Sequence, residues 1–125
     1  MTKENQNIEW KESWRDEYLK WICGFANAHG GKIYIGKNDN GIVTGIPNAR
    51  RLLEDIPNKI SNFLGIIADV NLYSQNGLDY LEIAVRPNSY SVSYRGEYHY
   101  RTGSTKQQLT GQALNQFLLK KTGIT

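Results

Sequence analysis

Apolar and charged residues alternate over Ile8-Glu9-Trp10-Lys11, the two-residue period of a half-buried strand, which sets Glu9 and Lys11 on one face. The period then lengthens. Trp14, Tyr18, Trp21, Ile22 and Phe25 recur at helical spacing through about residue 27. Ser13 stands where it can cap that helix, Asp16 and Glu17 fall in its first turn, and Gly30-Gly31 stops it. Lys32 to Gly36 reads as a strand, followed by an Asn38-Asp39-Asn40-Gly41 turn into a short strand Ile42 to Thr44. From Asn48 to Leu64 the apolar positions Leu52, Leu53, Ile56, Ile60 and Phe63 predict a second helix, which Pro57 should break or kink. Val70 to Tyr73 and Leu78 to Val85 form a hairpin across Gln75-Asn76-Gly77. A second hairpin joins Ser91 to Tyr94 with Tyr98 to Arg101 around Arg95-Gly96. Ala113, Leu114, Phe117 and Leu118 predict a last helix, Gly111 to Lys121. The order implies an α+β fold, a mixed β-sheet with about three helices on one side.

Composition narrows this picture. A chain of 125 residues, 39% hydrophobic and 11% aromatic, suits one folded domain over residues 1–125. The polar end, Lys120-Lys121-Thr122-Gly123-Ile124-Thr125, is expected to be a cut within a longer protein. A net charge of +3 and a pI near 9.0 permit a polyanionic partner without demanding one. Cys23 is the only cysteine, which excludes an internal disulfide; in its apolar helix it reads as a buried, inert thiol. No stretch approaches the roughly 20 apolar residues of a membrane span, and the N-terminus lacks an apolar signal region, so a cytoplasmic protein with no membrane partner is expected.

Several short motifs then fall into line. They are Glu4-x4-Glu9-Trp10-Lys11, Phe25-Ala26-Asn27-Ala28-His29-Gly30-Gly31, Ile33-x-Ile35-Gly36-x2-Asp39-x-Gly41, Val85-Arg86-Pro87, and Gly96-Glu97-Tyr98-His99-Tyr100-Arg101-Thr102-Gly103-Ser104. Together, from Glu4 to Lys121, they resemble the Schlafen AlbA-type domain. Most bacterial members of that family are assigned to DNA binding, ahead of an ATPase-like or winged-helix region in transcriptional regulators or helicase-related proteins. Some animal relatives are endoribonucleases using three carboxylates. By position, the resemblance implies Glu4, Glu9 and Asp39 for that triad.

Three functions from different classes follow. The first is nucleic-acid binding, with DNA as the main partner, RNA as a second, and no cofactor. Its candidate contacts are Lys37, Arg95, Tyr98, Arg101, Ser104 and Lys106: basic and aromatic groups, with hydroxyls and amides of Thr102-Gly103-Ser104 for phosphate oxygens. Nothing resembles a recognition helix, so such binding should be led by phosphates and depend steeply on salt. The second is a nuclease in which Glu4, Glu9 and Asp39 hold Mg²⁺ or Mn²⁺ and Lys11 steadies the scissile phosphate. Against it, Glu9 and Lys11 can equally form a plain ion pair, and Asp39 can serve only its own turn. The third is an interaction module that pairs edge strands into a homodimer.

Lesser features read more plainly. Gly30-Gly31 lacks the pattern of a phosphate loop. His29 is expected at the helix C-terminus, His99 on the surface, and Trp10, Trp14 and Trp21 in the core packing of the first strand and helix.

Overall fold

The computed structural model describes Asn5 and residues 7–123. Its fold is α+β: strands β1 (Ile8–Lys11), β2 (Gly31–Ile35), β3 (Asp69–Gln75), β4 (Leu78–Val85), β5 (Tyr98–Thr102) and β6 (Thr105–Leu109), with helices α1 (Leu19–Asn27), α2 (Ala49–Leu64) and α3 (Gly111–Lys121). The first four strands form one mixed sheet in the order β1-β2-β4-β3, and β5-β6 is a separate hairpin. β1 and β2 run parallel and are joined through α1; the other pairs are antiparallel.

Register decides what each face carries. Glu9, Ile33, Ile83 and Val70 line up across the sheet, as do Lys11, Ile35, Leu81 and Leu72, and this face is buried against α1 and α2. Trp10, Tyr34, Glu82 and Asn71 point the other way. Glu9 and Lys11 therefore share a face as their alternation predicts, and that face is the one against which the helices pack.

α2 runs through Pro57 without a break. Its buried residues Leu52, Ile56, Ile60 and Leu64 recur every four positions. Burying side chains of that size stabilises by ~1.5–3 kcal/mol each, enough to outweigh the ~3 kcal/mol that an interior proline costs. The first helix is shorter than expected. A single 3-10 turn, Asp16–Tyr18, precedes α1, and Ser13 caps neither element. Ile42 to Thr44 makes no strand beyond a lone bridge between Lys37 and Val43. Its amides instead serve the loop, where Asn38 Oδ1 accepts from Asn40 and Ile42 and Gly36 O accepts from Thr44.

The Asn76-Gly77 turn forms as expected, both residues at positive φ. The Arg95-Gly96 turn forms too, but its pairing stops at one bridge, Tyr94 to Glu97. β5 instead pairs with β6 and packs on α1. The approach is close at Gly24, where a Cβ would meet the Arg101 amide nitrogen at 3.4 Å, an ordinary packing contact. α1 thus sits between the sheet and the β5-β6 hairpin. α3 rests on the hairpin through Phe117, whose ring lies 5.9 Å from that of Tyr100. Among the described residues, no helix is long and apolar enough to cross a membrane.

Candidate functional site

Strand alternation places His99 and Arg101 on the face of β5 that meets α1, and Tyr98 and Tyr100 on the half-exposed face. This inverts the expectation for both residues. His99 is not on the surface, and Arg101, expected as a nucleic-acid contact, is 1% exposed. Its guanidinium donates to Glu9 Oε1 at 2.7 Å, to Asn5 O at 2.6 Å and to Ile8 O at 2.9 Å, tying the hairpin to the edge strand. The Trp21 and Phe25 rings stand 5.0 and 4.9 Å from it.

Glu9 is buried and shared. Its second oxygen, Oε2, lies 3.1 Å from Lys11 Nζ. Lys11 in turn sits 4.8 Å from the Tyr18 ring centroid and 4.9 Å from that of Trp21, and Lys106 of β6 is 5.8 Å from the same indole. Glu9, Lys11, Arg101 and Lys106, drawn from both sequence-level candidate sets, are thereby brought together around Trp21. Lys11 and Arg101 share the single carboxylate there, and Lys106 has no ion-pair partner among the described residues.

The other candidates lie elsewhere. Asp39 is exposed in its turn, and Gly41 of that turn lies on the Trp10 ring, on the side of β1 opposite Glu9. Glu4 lies outside the described residues. Among the described residues no group of three or more His, Cys, Asp or Glu is placed to hold a metal ion. The surroundings of Glu9 do not fit Mg²⁺ or Mn²⁺ either, since both its oxygens face cations that would repel a divalent ion. Arg95 is exposed at its hairpin tip over the Phe63 and Tyr94 rings, but Asp16, Glu17 and Glu97 line the same cleft, a poor seat for phosphate. Ser104 is exposed in the β5-β6 turn. Lys37 lies on the open face of the sheet, 4.0 Å over the Tyr34 ring.

Asn27 was missed as a functional position, although an amide inside an apolar helix was a visible signal. It is buried, donates to Val92 O and His99 O at 2.8 Å each, and accepts from Val92 N at 2.8 Å. This clamp explains the aborted second hairpin: the Val92 backbone is satisfied by a side chain rather than by a strand. Cys23 beside it is buried as expected; burial pushes its thiol pKa up to about 11 and leaves it inert. His29, at the end of α1, is exposed.

Burial holds the His99 pKa below its ordinary 6.5, with nearby Lys106 and Lys20 acting in the same direction and Glu97, 3.0 Å from Nε2, opposing them. The folded chain therefore binds fewer protons than the unfolded one once pH drops below about 6.5. Stability should be full above that value and decline as pH falls below it. The melting temperature should trace that decline, and His99→Gln should flatten it. An equal slope in the variant would assign the decline to other groups.

Comparison with known proteins agrees with this architecture. The family described as Schlafen, AlbA_2 matches residues 4–110, and the chain belongs to it. Two solved structures share the fold. A protein from Corynebacterium diphtheriae is 17% identical with a TM-score of 0.70, over 83% of this chain and 22% of that one. The N-terminal domain of a protein from Nitrosomonas europaea, described as related to the ATP-dependent DNA helicase RecG, is 20% identical with a TM-score of 0.60, over 90% and 88%. The chain thus spans about a fifth of the Corynebacterium protein. No protein of curated function matches the sequence.

Proposed function

We propose that this member of the Schlafen AlbA_2 family is a nucleic-acid-binding domain that holds phosphates at the Trp21 cluster and carries out no catalytic cycle of its own. The convergence of Lys11, Arg101 and Lys106 on one half-exposed indole, with Glu9 pairing only the first two, carries the reading. Arg101 acts as the buried strut of the cluster. Lys11 and Lys106 are the groups with access to solvent, and Trp21 and Tyr18 offer rings beside them. Such a surface favours phosphates over base sequence, because no element presents a row of side chains to a groove. The resemblance of its motifs to those of bacterial transcriptional regulators makes DNA the first polymer to test and the cytoplasm the expected compartment.

In a mobility-shift or anisotropy titration, the double variant Lys11→Gln, Lys106→Gln should weaken DNA binding. It should also lower the slope of log affinity against log salt by about two, one for each lost phosphate contact. Lys106 is the more informative position, since its removal leaves the Glu9–Arg101 bridge untouched. Unchanged affinity and slope in the double variant would move the binding surface elsewhere.

A further inference from the structure

The face of the sheet turned away from the helices carries a second arrangement of rings and cations. Tyr34 and Tyr80 lie 6.4 Å apart, and Tyr73 follows 5.7 Å beyond Tyr80 with 43% exposure. Lys37 Nζ stands 4.0 Å over Tyr34 and 4.9 Å over Tyr80, with no ion-pair partner among the described residues. Glu82, the carboxylate in this row, is 9% exposed, and its oxygens face the Tyr34 hydroxyl, Asn71 Nδ2 and Lys32 Nζ. Burial, together with its bond to Glu82, keeps the Tyr34 phenol protonated, with a pKa pushed up to about 12.

At the β1 side, the Tyr34 ring borders a cleft of about 490 Å³ that also takes in His29, Gly30-Gly31, Lys32 and Arg86. Among the described residues no carboxylate lines it; Lys32 is held 3.5 Å from Glu82, and Arg86 is in no ion pair among them. The lining is therefore complementary to an anion at one end and flat and aromatic at the other.

We propose that this open face is a second site, specific for single-stranded nucleic acid, with a backbone phosphate between Lys32 and Arg86 and unpaired bases against the row Tyr34, Tyr80 and Tyr73. The charge of the cleft selects a polyanion, and the tyrosines select one whose rings are free to stack. A duplex hides its base faces, so only its phosphates can use this surface. The inference extends the nucleic-acid reading to a surface that shares no residue with the Trp21 cluster, so the two can fail separately.

The test is fluorescence anisotropy of the whole chain with three labelled probes of equal length: a single strand of thymidines, the same strand with abasic sites, and a duplex. The thymidine strand should bind roughly tenfold more tightly than the abasic one. Arg86→Glu with Lys32→Gln should weaken both single strands, whereas Tyr73→Ala and Tyr80→Leu should erase only the difference between them. Tyr73 is exposed enough that its variant should fold even if Tyr80→Leu does not. Equal binding of thymidine and abasic strands by the parent chain would overturn the proposal. So would binding of a poly-glutamate peptide that is lost in the same charge variant, since an acidic protein would then be the better occupant. Loss confined to the Lys11, Lys106 variant would leave the Trp21 site standing and remove this one; failure of every probe would remove both.

Discussion

Arg101→Ala is expected to be among the most destabilising substitutions in the chain, lowering the unfolding free energy by about 3–5 kcal/mol. The guanidinium is 1% exposed and joins Glu9 and two backbone carbonyls. Its removal leaves a buried carboxylate with Lys11 as its remaining cation and takes one of the donors from the Asn5 and Ile8 carbonyls. Urea denaturation should show the midpoint falling by about 1 M or more at an unchanged slope. Replacing both partners, Glu9→Met with Arg101→Met, should recover much of the loss, because no charge then remains buried. A loss below about 1 kcal/mol for Arg101→Ala would mean that the pair is open to water, as it is for exposed ion pairs. Any loss of nucleic-acid binding in Arg101→Ala must therefore be read against its stability.

Asn27→Ala should have an effect of similar size for a different reason. Three backbone groups lose the amide in a buried setting: Val92 N and His99 O lose this side-chain partner, and Val92 O keeps the weak Cys23 thiol donor. Leaving a buried polar group unsatisfied costs about 1–3 kcal/mol, so a total near or above 3 kcal/mol is expected. Asn27→Asp keeps the shape and the acceptor for Val92 N–H but cannot donate to the two carbonyls, and it buries a charge. It should be at least as damaging at neutral pH. Amide hydrogen exchange at Val92 should quicken in both variants; protection unchanged from the parent would show that the segment is held by other contacts.

These two residues mark how far the chain could be read without its fold. The family resemblance, the α+β class, the three helices, the Asn76-Gly77 hairpin, the buried inert Cys23 and the shared face of Glu9 and Lys11 were all legible, because each follows from spacing along a continuous stretch. The pairing of Glu9 with Lys11 was legible too, but its bond to Arg101 was not, since that residue is 92 positions away. Strand alternation separated His99 and Arg101 from the tyrosines beside them, but could not say which pair faces inward. That choice was made by α1, which lies on β5 and buries whichever face meets it.

The same limit governs the candidate site. The chemistry of each residue is local: a lysine is a cation, a tyrosine a ring, and their abundance already pointed toward a polyanion. Where they gather is a property of the sheet. Its register puts Lys11 beside Trp21 on one side and Lys37 over Tyr34 on the other, and it turns Trp10, on which Gly41 of the Asp39 turn lies, away from Glu9. Sequence by itself determined the elements, the family and the kinds of group available, because propensity and periodicity act over a few residues. Only the tertiary structure decided which charges are neutralised inside and which remain at the surface, because burial and pairing depend on segments that meet through space.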